Sequence, residues 1–560
     1  MKTFLILSFF STVFFCQALF SALPSPEPVS KNITSGAPNA KKGGTLTYEA
    51  YEPNHINPIN FDQAGSIEIL TNWLFESLLD TDLKSGNNIP CIAEKWAISK
   101  DGLEFVFWIN PNAKWFDGKA ITTEDVKFSF EVYSMEGANS PVRKSQAEEF
   151  SKIEIIDSHT IKFTAKKRLF SNFEFLASSI IMPKHLYYYT DPEKLARNEY
   201  TRLPKGSGPY IIQSWEKGDQ AVMTKNPNWW GASLAQNQGA YNFDKIIIKY
   251  VRDPQIAFER LKKGDLDYMP IRIGNTELWR QTKSDKSFTS GEIKALAVQS
   301  RLQQGYGLIG FNTQNAIFKD KAVRMALLRA VNRDEIIEKS LDGLAQIPMG
   351  PLFSVDNFNG KFKTLNYDPA TASKELNALG WKDSDGDYIL DKGGKPFSFT
   401  VLVPNARIEK EMLFIQNYWK NIGINANIKI MEYSSWRQLQ DERRFDAIAN
   451  GKSRTLKPWS VDPYSEWHSD NLPNGLKNYY GYSNPKVDQL IISARQEFDA
   501  KKRKKILDEV NDIIADEHIL LQYSESKYSL HGINSKIVLP NVDGKNWYPY
   551  DLGMKYWYRK

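Results

Sequence analysis

Cysteine and histidine are scarce in this chain of 560 residues, which holds 2 cysteines and 6 histidines. If Cys16 is removed with an N-terminal targeting segment, Cys91 is the only thiol left and no internal disulfide can form. We therefore expect stability to come from the size and packing of the cores. The histidines are scattered, so no local pattern supports a histidine metal site.

The motifs of several enzyme classes are absent. The chain has no GxxxxGK[ST] phosphate loop, no GxSxG nucleophile elbow, no HExxH zinc helix and no CxxC pair. Its 66 acidic residues are too numerous to exclude a pair of catalytic carboxylates, but no two of them are singled out. We predict that the protein is not an enzyme and has no catalytic residue, metal or cofactor. A secreted hydrolase acting on glycans or peptides is the alternative.

Long apolar runs are also lacking. No run of about 18 apolar residues follows the N-terminus, so we do not expect the mature chain to span a membrane. The apolar run from Phe4 to Phe15 follows Lys2, is too short to cross a bilayer and is typical of a secretory signal. Small residues follow it, so we predict a signal peptide over residues 1–22 and a periplasmic location.

Cys16 offers a lipid anchor as an alternative to cleavage. The two residues before it, Phe14 and Phe15, are bulkier than the residues that a lipoprotein peptidase prefers. We therefore favour release through the signal peptide over a lipid anchor.

Charge of one sign does not dominate the chain, because 72 basic residues face 66 acidic ones and the net charge is only +6. The one dense run is KKRKK, residues 501–505, on a predicted helix with an apolar stripe of Ile506, Val510, Ile513 and Ile514. We interpret the run as a solvated helix face and predict no binding of nucleic acid.

The length of the chain exceeds what one core organises, which favours two lobes. Strand and helix patterns alternate, so we predict an α/β protein whose chain crosses twice between lobes near residues 303–310 and 520–523. Two crossings form a hinge beside a cleft. The predicted segments are a flexible leader over residues 23–44, lobe I over 45–302 with a subdomain over about 80–195, lobe II over 303–521, and a return to lobe I over 522–560.

The stretch NAKWFDGKAITTEDVKF, residues 112–128, shows how much of the chain is structural. Asp117 and Gly118 predict a turn, and Thr122 with Asp125 three residues later resembles a capping box. A helix through Tyr133 should follow.

Another polar stretch, DSDGDYILD (residues 383–391), resembles a calcium loop but lacks its last carboxylate, so we interpret it as a turn.

A series of motifs resembles the family 5 extracellular solute-binding proteins, which serve oligopeptide and dipeptide ABC importers. The resemblance runs from about Gly43 past Glu517. The motifs, in chain order, are GGTL, INPI, IPCIAEKWAISKDGLEFVFWI, AKWFDGKAITTEDVKFSFE, GSGPY, KNPNWWG, IGFNTQ, KAVRMALLRAVNRDEI, GWKDSDGD and YSNPKVDQLI.

The resemblance implies a type II periplasmic-binding-protein fold, with two lobes, a hinge and an interlobe cleft. It implies a periplasmic substrate-binding protein that captures peptides or a similar small solute by lobe closure. The protein would deliver this ligand to an ABC transporter permease in the inner membrane and act as a monomer. Within the family, an oligosaccharide-binding receptor is the alternative.

One departure from the family bears on the ligand. Peptide-binding members place an aspartate after the strand that corresponds to FDAIANG (residues 445–451), where it pairs with the peptide's amino group. The matching position here is Thr455 or Trp459, and neither is acidic. Asp462 or Glu466 would have to take its place; otherwise the ligand lacks a free amine.

We select ligand-binding candidates from the residues that follow strands, where open α/β sheets bind ligands. Each has the alternative of a purely structural role. The candidates are Tyr51, Glu52 and His55 after the first strand, and Arg454, Trp459, Asp462 and Trp467 after the strand that ends near residue 450.

Overall fold

The structure, a computed structural model, describes residues 23–28, 33–60, 64–272, 276–299, 305–353, 357–452, 460–473, 477–540 and 552–560. The predicted signal peptide lies outside these residues. Across the described ranges, we find no helix with the length and apolar character needed to cross a bilayer.

The strands come from all parts of the described chain. In chain order they are β1 (Thr45–Glu49), β2 (Leu79–Thr81), β3 (Asn88–Pro90), β4 (Ala93–Ile98), β5 (Glu104–Ile109), β6 (Phe150–Ile155), β7 (Thr160–Ala165), β8 (Tyr210–Glu216), β9 (Gln220–Lys225), β10 (Lys245–Lys249), β11 (Tyr268–Ile271), β12 (Ile293–Val298), β13 (Tyr306–Phe311), β14 (Ala345–Gln346), β15 (Asp391–Lys392), β16 (Lys395–Pro396), β17 (Ser398–Val403), β18 (Asn425–Ile430), β19 (Ala447–Lys452), β20 (Leu520–Ser526), β21 (Ser529–Asn534), β22 (Ile537–Val538) and β23 (Tyr558–Arg559).

The α-helices lie between these strands. They are α1 (Ala64–Ile69), α2 (Thr123–Glu131), α3 (Pro141–Ala147), α4 (Phe170–Ser178), α5 (Lys184–Tyr187), α6 (Pro192–Ala196), α7 (Pro254–Lys263), α8 (Thr276–Gln281), α9 (Lys286–Thr289), α10 (Lys321–Arg329), α11 (Arg333–Leu341), α12 (Pro369–Ala378), α13 (Glu409–Lys420), α14 (Tyr433–Asp441), α15 (Tyr464–Trp467), α16 (Pro485–Gln496) and α17 (Ala500–Asp516).

Lobe I is built on a sheet of seven strands in the order β12-β21-β11-β1-β10-β9-β8. Its centre is parallel, because β1 pairs in parallel with both β10 and β11. Leu46 and Tyr48 alternate along β1 and are buried in the core, as the period of two in a strand requires. The carboxyl ends of these three strands therefore meet at one edge of the sheet.

A second sheet, in the order β4-β5-β7-β6, carries an aromatic core in the subdomain of lobe I. Phe105 and Phe107 on β5 are buried, as their alternation predicted. The capping box at the start of α2 is confirmed, since Thr122 and Asp125 bond reciprocally. Asp125 also accepts a hydrogen bond from the indole of the buried Trp115, at 3.3 Å. The cap thus ties the turn to the helix.

Lobe II is built on a sheet of six strands in the order β14-β20-β13-β19-β17-β18. β20 belongs to this sheet over its whole length, so the predicted return to lobe I at residue 522 falls inside a strand of lobe II. The next strand, β21, pairs with β11 and β12 of lobe I. The chain therefore changes lobe between Ser526 and Ser529, and also between β12 and β13.

The segment predicted as a flexible leader makes defined contacts over its described residues 33–44. The amide of Thr34 donates to Asp82 at 2.7 Å, and its carbonyl accepts from the Tyr556 hydroxyl at 3.0 Å. A Cβ on Gly36 would lie 2.4 Å from the carbonyl oxygen of Gly239, so only glycine fits this close approach. These contacts hold the segment against lobe I.

The KKRKK run lies on α17, as predicted, but its face is not uniformly solvated. Arg503 is buried, and its guanidinium lies 4.0 Å from the ring centroid of Phe170 in the subdomain. Its alkyl stem and planar head suit an aromatic contact that a lysine would make less well. The apolar periodicity predicted the helix correctly. It could not show that the Arg503 side chain points toward lobe I.

Candidate ligand-binding cleft

The carboxyl ends of β10, β1 and β11 open into a concave site. Glu49 ends β1, Tyr250 follows β10 directly, and Arg272 follows β11 directly. Open α/β sheets bind ligands at this end of their strands, because loops there diverge and leave a crevice. The position of the site follows from the parallel pairing of the three strands.

Lobe II supplies one wall of the same site through Arg407. This residue lies in a short 3-10 turn, Ala406–Ile408, whose start is capped by Asn405 just after β17. The site has a volume of about 320 Å³, within the range of small-ligand pockets. Its lining residues are Glu49, Ala50, Tyr51, Glu52, Tyr250, Val251, Arg252, Pro254, Arg272 and Arg407.

A buried ion pair forms the floor of the site. Glu49 is 3% exposed and accepts hydrogen bonds from both terminal nitrogens of Arg272, at 3.2 and 3.3 Å. Burial raises the pKa of the Glu49 carboxyl, and Arg272 partly offsets the rise. The Arg272 guanidinium also lies 4.0 Å from the ring centroid of Tyr51, which fixes both side chains beside the opening.

The rim of the site is held by Glu52. Its carboxylate accepts a hydrogen bond from the amide of Gly218 at 2.5 Å and lies 4.0 Å from Arg252. The Arg252 side chain is 91% exposed, so its attraction to Glu52 is weak and its donors are open to a ligand.

The charges of the site exceed what its own ion pairs neutralise. Three guanidinium groups line it, from Arg252, Arg272 and Arg407, against the carboxylates of Glu49 and Glu52. Arg407 is exposed, and among the described residues its guanidinium has no ion pair. The site therefore suits a polar ligand that carries at least one anionic group.

The predicted candidates from lobe I fall partly within this site. Tyr51 and Glu52 line it. His55 does not line it; its ring is partly buried, and its backbone carbonyl accepts a hydrogen bond from Ser66. For all three, contact with a ligand stays a prediction.

Two of the predicted candidates from lobe II, Asp462 and Trp467, make structural contacts and do not line this site. Asp462 forms an ion pair with Arg495 at 3.1 Å, and Trp467 is fully buried beside Tyr480, with ring centroids 5.9 Å apart. Glu466, the other acidic candidate, pairs with Lys452 at the end of β19. Arg454 and Trp459 lie outside the described residues.

Sequence reasoning missed four charged or polar residues of the site: Glu49, Arg252, Arg272 and Arg407. The first three were within reach, because each ends or follows a strand that the sequence predicts. Treating every predicted strand end as a candidate would have found them. Arg407 also follows a strand, β17, but its place opposite lobe I depends on how the two lobes meet, which a strand end does not show.

The polar turn DSDGDYILD is the one group of acidic side chains in the described residues that approaches metal-ligand spacing. Oxygens of Asp383, Asp385 and Asp387 lie within 4.8 Å of one another, and all three residues are exposed. Each carboxylate accepts a hydrogen bond from a backbone amide of the turn itself. The amide of Gly386, for example, donates to Asp383 at 2.7 Å. These bonds account for the aspartates as turn residues.

Comparison with known proteins finds relatives of this chain among binding proteins. Over 555 residues the chain is 28% identical to the oligopeptide-binding protein AppA of Bacillus subtilis, which covers 96% of this chain and 95% of the relative. It is 26% identical over 512 residues to the peptidoglycan-binding protein YepA of Agrobacterium fabrum, covering 82% of each chain.

A solved structure matches the fold over nearly the whole chain. The structure of Bacillus subtilis AppA in complex with a nonapeptide superposes with a TM-score of 0.73 at 27% identity, covering 93% of this chain and 100% of that one. The predicted α/β fold of the two-lobed, type II periplasmic-binding kind is thereby confirmed. The sequence model of the bacterial extracellular solute-binding proteins, family 5, matches residues 87–475, and this chain belongs to that family.

Proposed function

We propose that this solute-binding protein of an ABC transporter captures peptides in the cleft between its lobes. The likeness to a structure that holds a nonapeptide over almost the full chain carries the proposal. The charges in the cleft support it, since a zwitterionic peptide offers a carboxylate to the arginines and an ammonium to Glu52. The ligand would be released unaltered to a permease in the inner membrane.

Capture by lobe closure is possible because Arg407 belongs to lobe II, whereas Glu49 and Arg272 belong to lobe I. A ligand that touches both lobes binds the closed arrangement more tightly than the open one, so it shifts the population toward closure. Closure removes water from the cleft and strengthens each charge-assisted hydrogen bond. No covalent step is required, since a micromolar dissociation constant corresponds to about 8 kcal/mol.

Titration with defined ligand pools tests the class of ligand. We expect peptide pools to change tryptophan fluorescence in a saturable way, and mass spectrometry to recover the bound peptides intact. Muropeptides and oligosaccharides serve as the competing classes, because one relative is named for peptidoglycan. Binding of oligosaccharides alone, or recovery of cleaved peptides, would contradict the proposal.

Arg407→Gln tests the role of the lobe II wall. We expect the dissociation constant for a bound peptide to rise roughly tenfold, because a charge-assisted hydrogen bond to the ligand is lost, and isothermal titration calorimetry measures the change. Arg444→Gln is the matched control, since that lobe II arginine is exposed and pairs with Glu442 at 2.9 Å. Equal peptide affinities for the two variants would show that Arg407 does not contact the ligand.

A further inference from the structure

A small cavity in lobe II, partly open to solvent, lies apart from the cleft. Its volume is about 20 Å³, enough for a single species of about the size of a water molecule. Its polar lining comes from Arg333, Thr364, His518 and Gln522, and the rest is apolar. Among the residues that the structure describes, no carboxylate lines it.

Arg333 brings a full positive charge to this cavity. The residue is 6% exposed, and its guanidinium donates to the backbone carbonyl of Leu365. No ion pair involves Arg333 in the described part of the chain, and its neighbour Asp334 is exposed at the start of α11. A buried cation whose protein partner is a neutral carbonyl retains most of its desolvation cost.

The other polar groups of the cavity do not supply a negative charge. His518 is 4% exposed, and its Nδ1 has no hydrogen-bond partner in the described residues. Burial lowers the pKa of His518 to about 4, so its ring is neutral at pH 7. Gln522 donates to the carbonyl of Gly350 at 3.0 Å. The charge of Arg333 is therefore left for a bound species to balance.

We propose that this cavity binds one small monovalent anion of halide size, with Arg333 as its counter-charge. A water molecule would meet the donors of the cavity without balancing the charge of Arg333. Chloride is the halide that such a site would meet in solution. Its binding would stabilise the folded state by mass action, because the cavity does not exist in the unfolded chain.

Thermal unfolding at constant ionic strength tests the proposal. Replacing sodium gluconate by sodium chloride should raise the melting temperature saturably, by roughly 1–3 °C. Arg333→Gln should abolish this rise. The control Arg329→Gln should keep it, since Arg329 pairs with Glu375 at 3.3 Å and does not line the cavity. Coincident curves in chloride and gluconate, or an unchanged rise in Arg333→Gln, would overturn the proposal.

Bromide provides a direct test that does not depend on whether the variant folds. Crystals of the unaltered protein soaked in sodium bromide should show an anomalous scattering peak in this cavity, beside Arg333. A cavity filled by water under bromide, without such a peak, would overturn the proposal. The result is independent of peptide binding, so it separates this site from the function of the cleft.

Discussion

Replacing Arg272 by methionine is expected to lower the free energy of unfolding by about 3 kcal/mol at pH 7, because it leaves the Glu49 carboxylate buried without its counter-charge. Glu49 is almost fully buried and both of its oxygens accept from Arg272. Urea denaturation followed by tryptophan fluorescence measures the loss. The loss should shrink at pH 5, where Glu49 more easily takes up a proton in place of the lost cation.

The matched control is Arg252→Met on the same rim. The Arg252 side chain is 91% exposed, and its ion pair with Glu52 is long, at 4.0 Å. Removing its charge should therefore change the free energy of unfolding by less than about 0.5 kcal/mol. Similar losses in the two variants would show that the Glu49–Arg272 pair is not the stabilising element. The Arg272 variant should also bind ligand less well, since Tyr51 loses the cation packed on its ring.

The second large effect is expected from Glu76→Gln, which should remove a contribution to stability that falls between pH 4.5 and 8. The carboxylate of Glu76 accepts from the indoles of Trp229 at 3.1 Å and Trp230 at 2.6 Å. Burial raises the pKa of Glu76 to about 8, although these hydrogen bonds favour the ionised form. The folded protein therefore keeps a proton that the unfolded chain releases near the ordinary glutamate pKa of 4.5.

The direction of the effect follows from that retained proton. Glu76 should make a contribution to the free energy of unfolding that falls as the pH rises from 4.5 to 8, by ~1.4 kcal/mol per pH unit and up to about 5 kcal/mol in all. Glu76→Gln should lose this slope in urea denaturation at several pH values. Glu131→Gln, whose half-exposed side chain pairs with Lys127 at 2.7 Å, should keep it. A parallel pH profile for all three proteins would contradict the assignment.

Local patterns predicted much of the fold because they record burial along one element. The alternation of Phe105 and Phe107 and the box of Thr122 and Asp125 each involve residues a few positions apart, and both are confirmed. The docking of the leader and the burial of Arg503 were not predictable in this way. Each depends on partners hundreds of positions distant, such as Tyr556 and Phe170.

The same limit applied to the site. The rule that ligands bind at strand ends led to Tyr51 and Glu52, which line the cleft. It could not distinguish them from Asp462, which also follows a strand but is paired with Arg495 on a neighbouring helix. Composition and spacing show which residues carry charge; only the fold shows which charges are already neutralised by the protein.

The place of β21 in the sheet of lobe I has a consequence for biosynthesis. Every strand of the lobe II sheet lies within residues 306–526, so that sheet can close before the last strand of the seven-stranded lobe I sheet has left the ribosome. Within the described parts of the chain, β12 pairs only with β21, and β11 has β21 as its outer neighbour. Until residue 534 is available, both keep unpaired edges of the kind that attract other chains. A chain truncated before residue 529 should therefore aggregate through its first half while its second half is already folded.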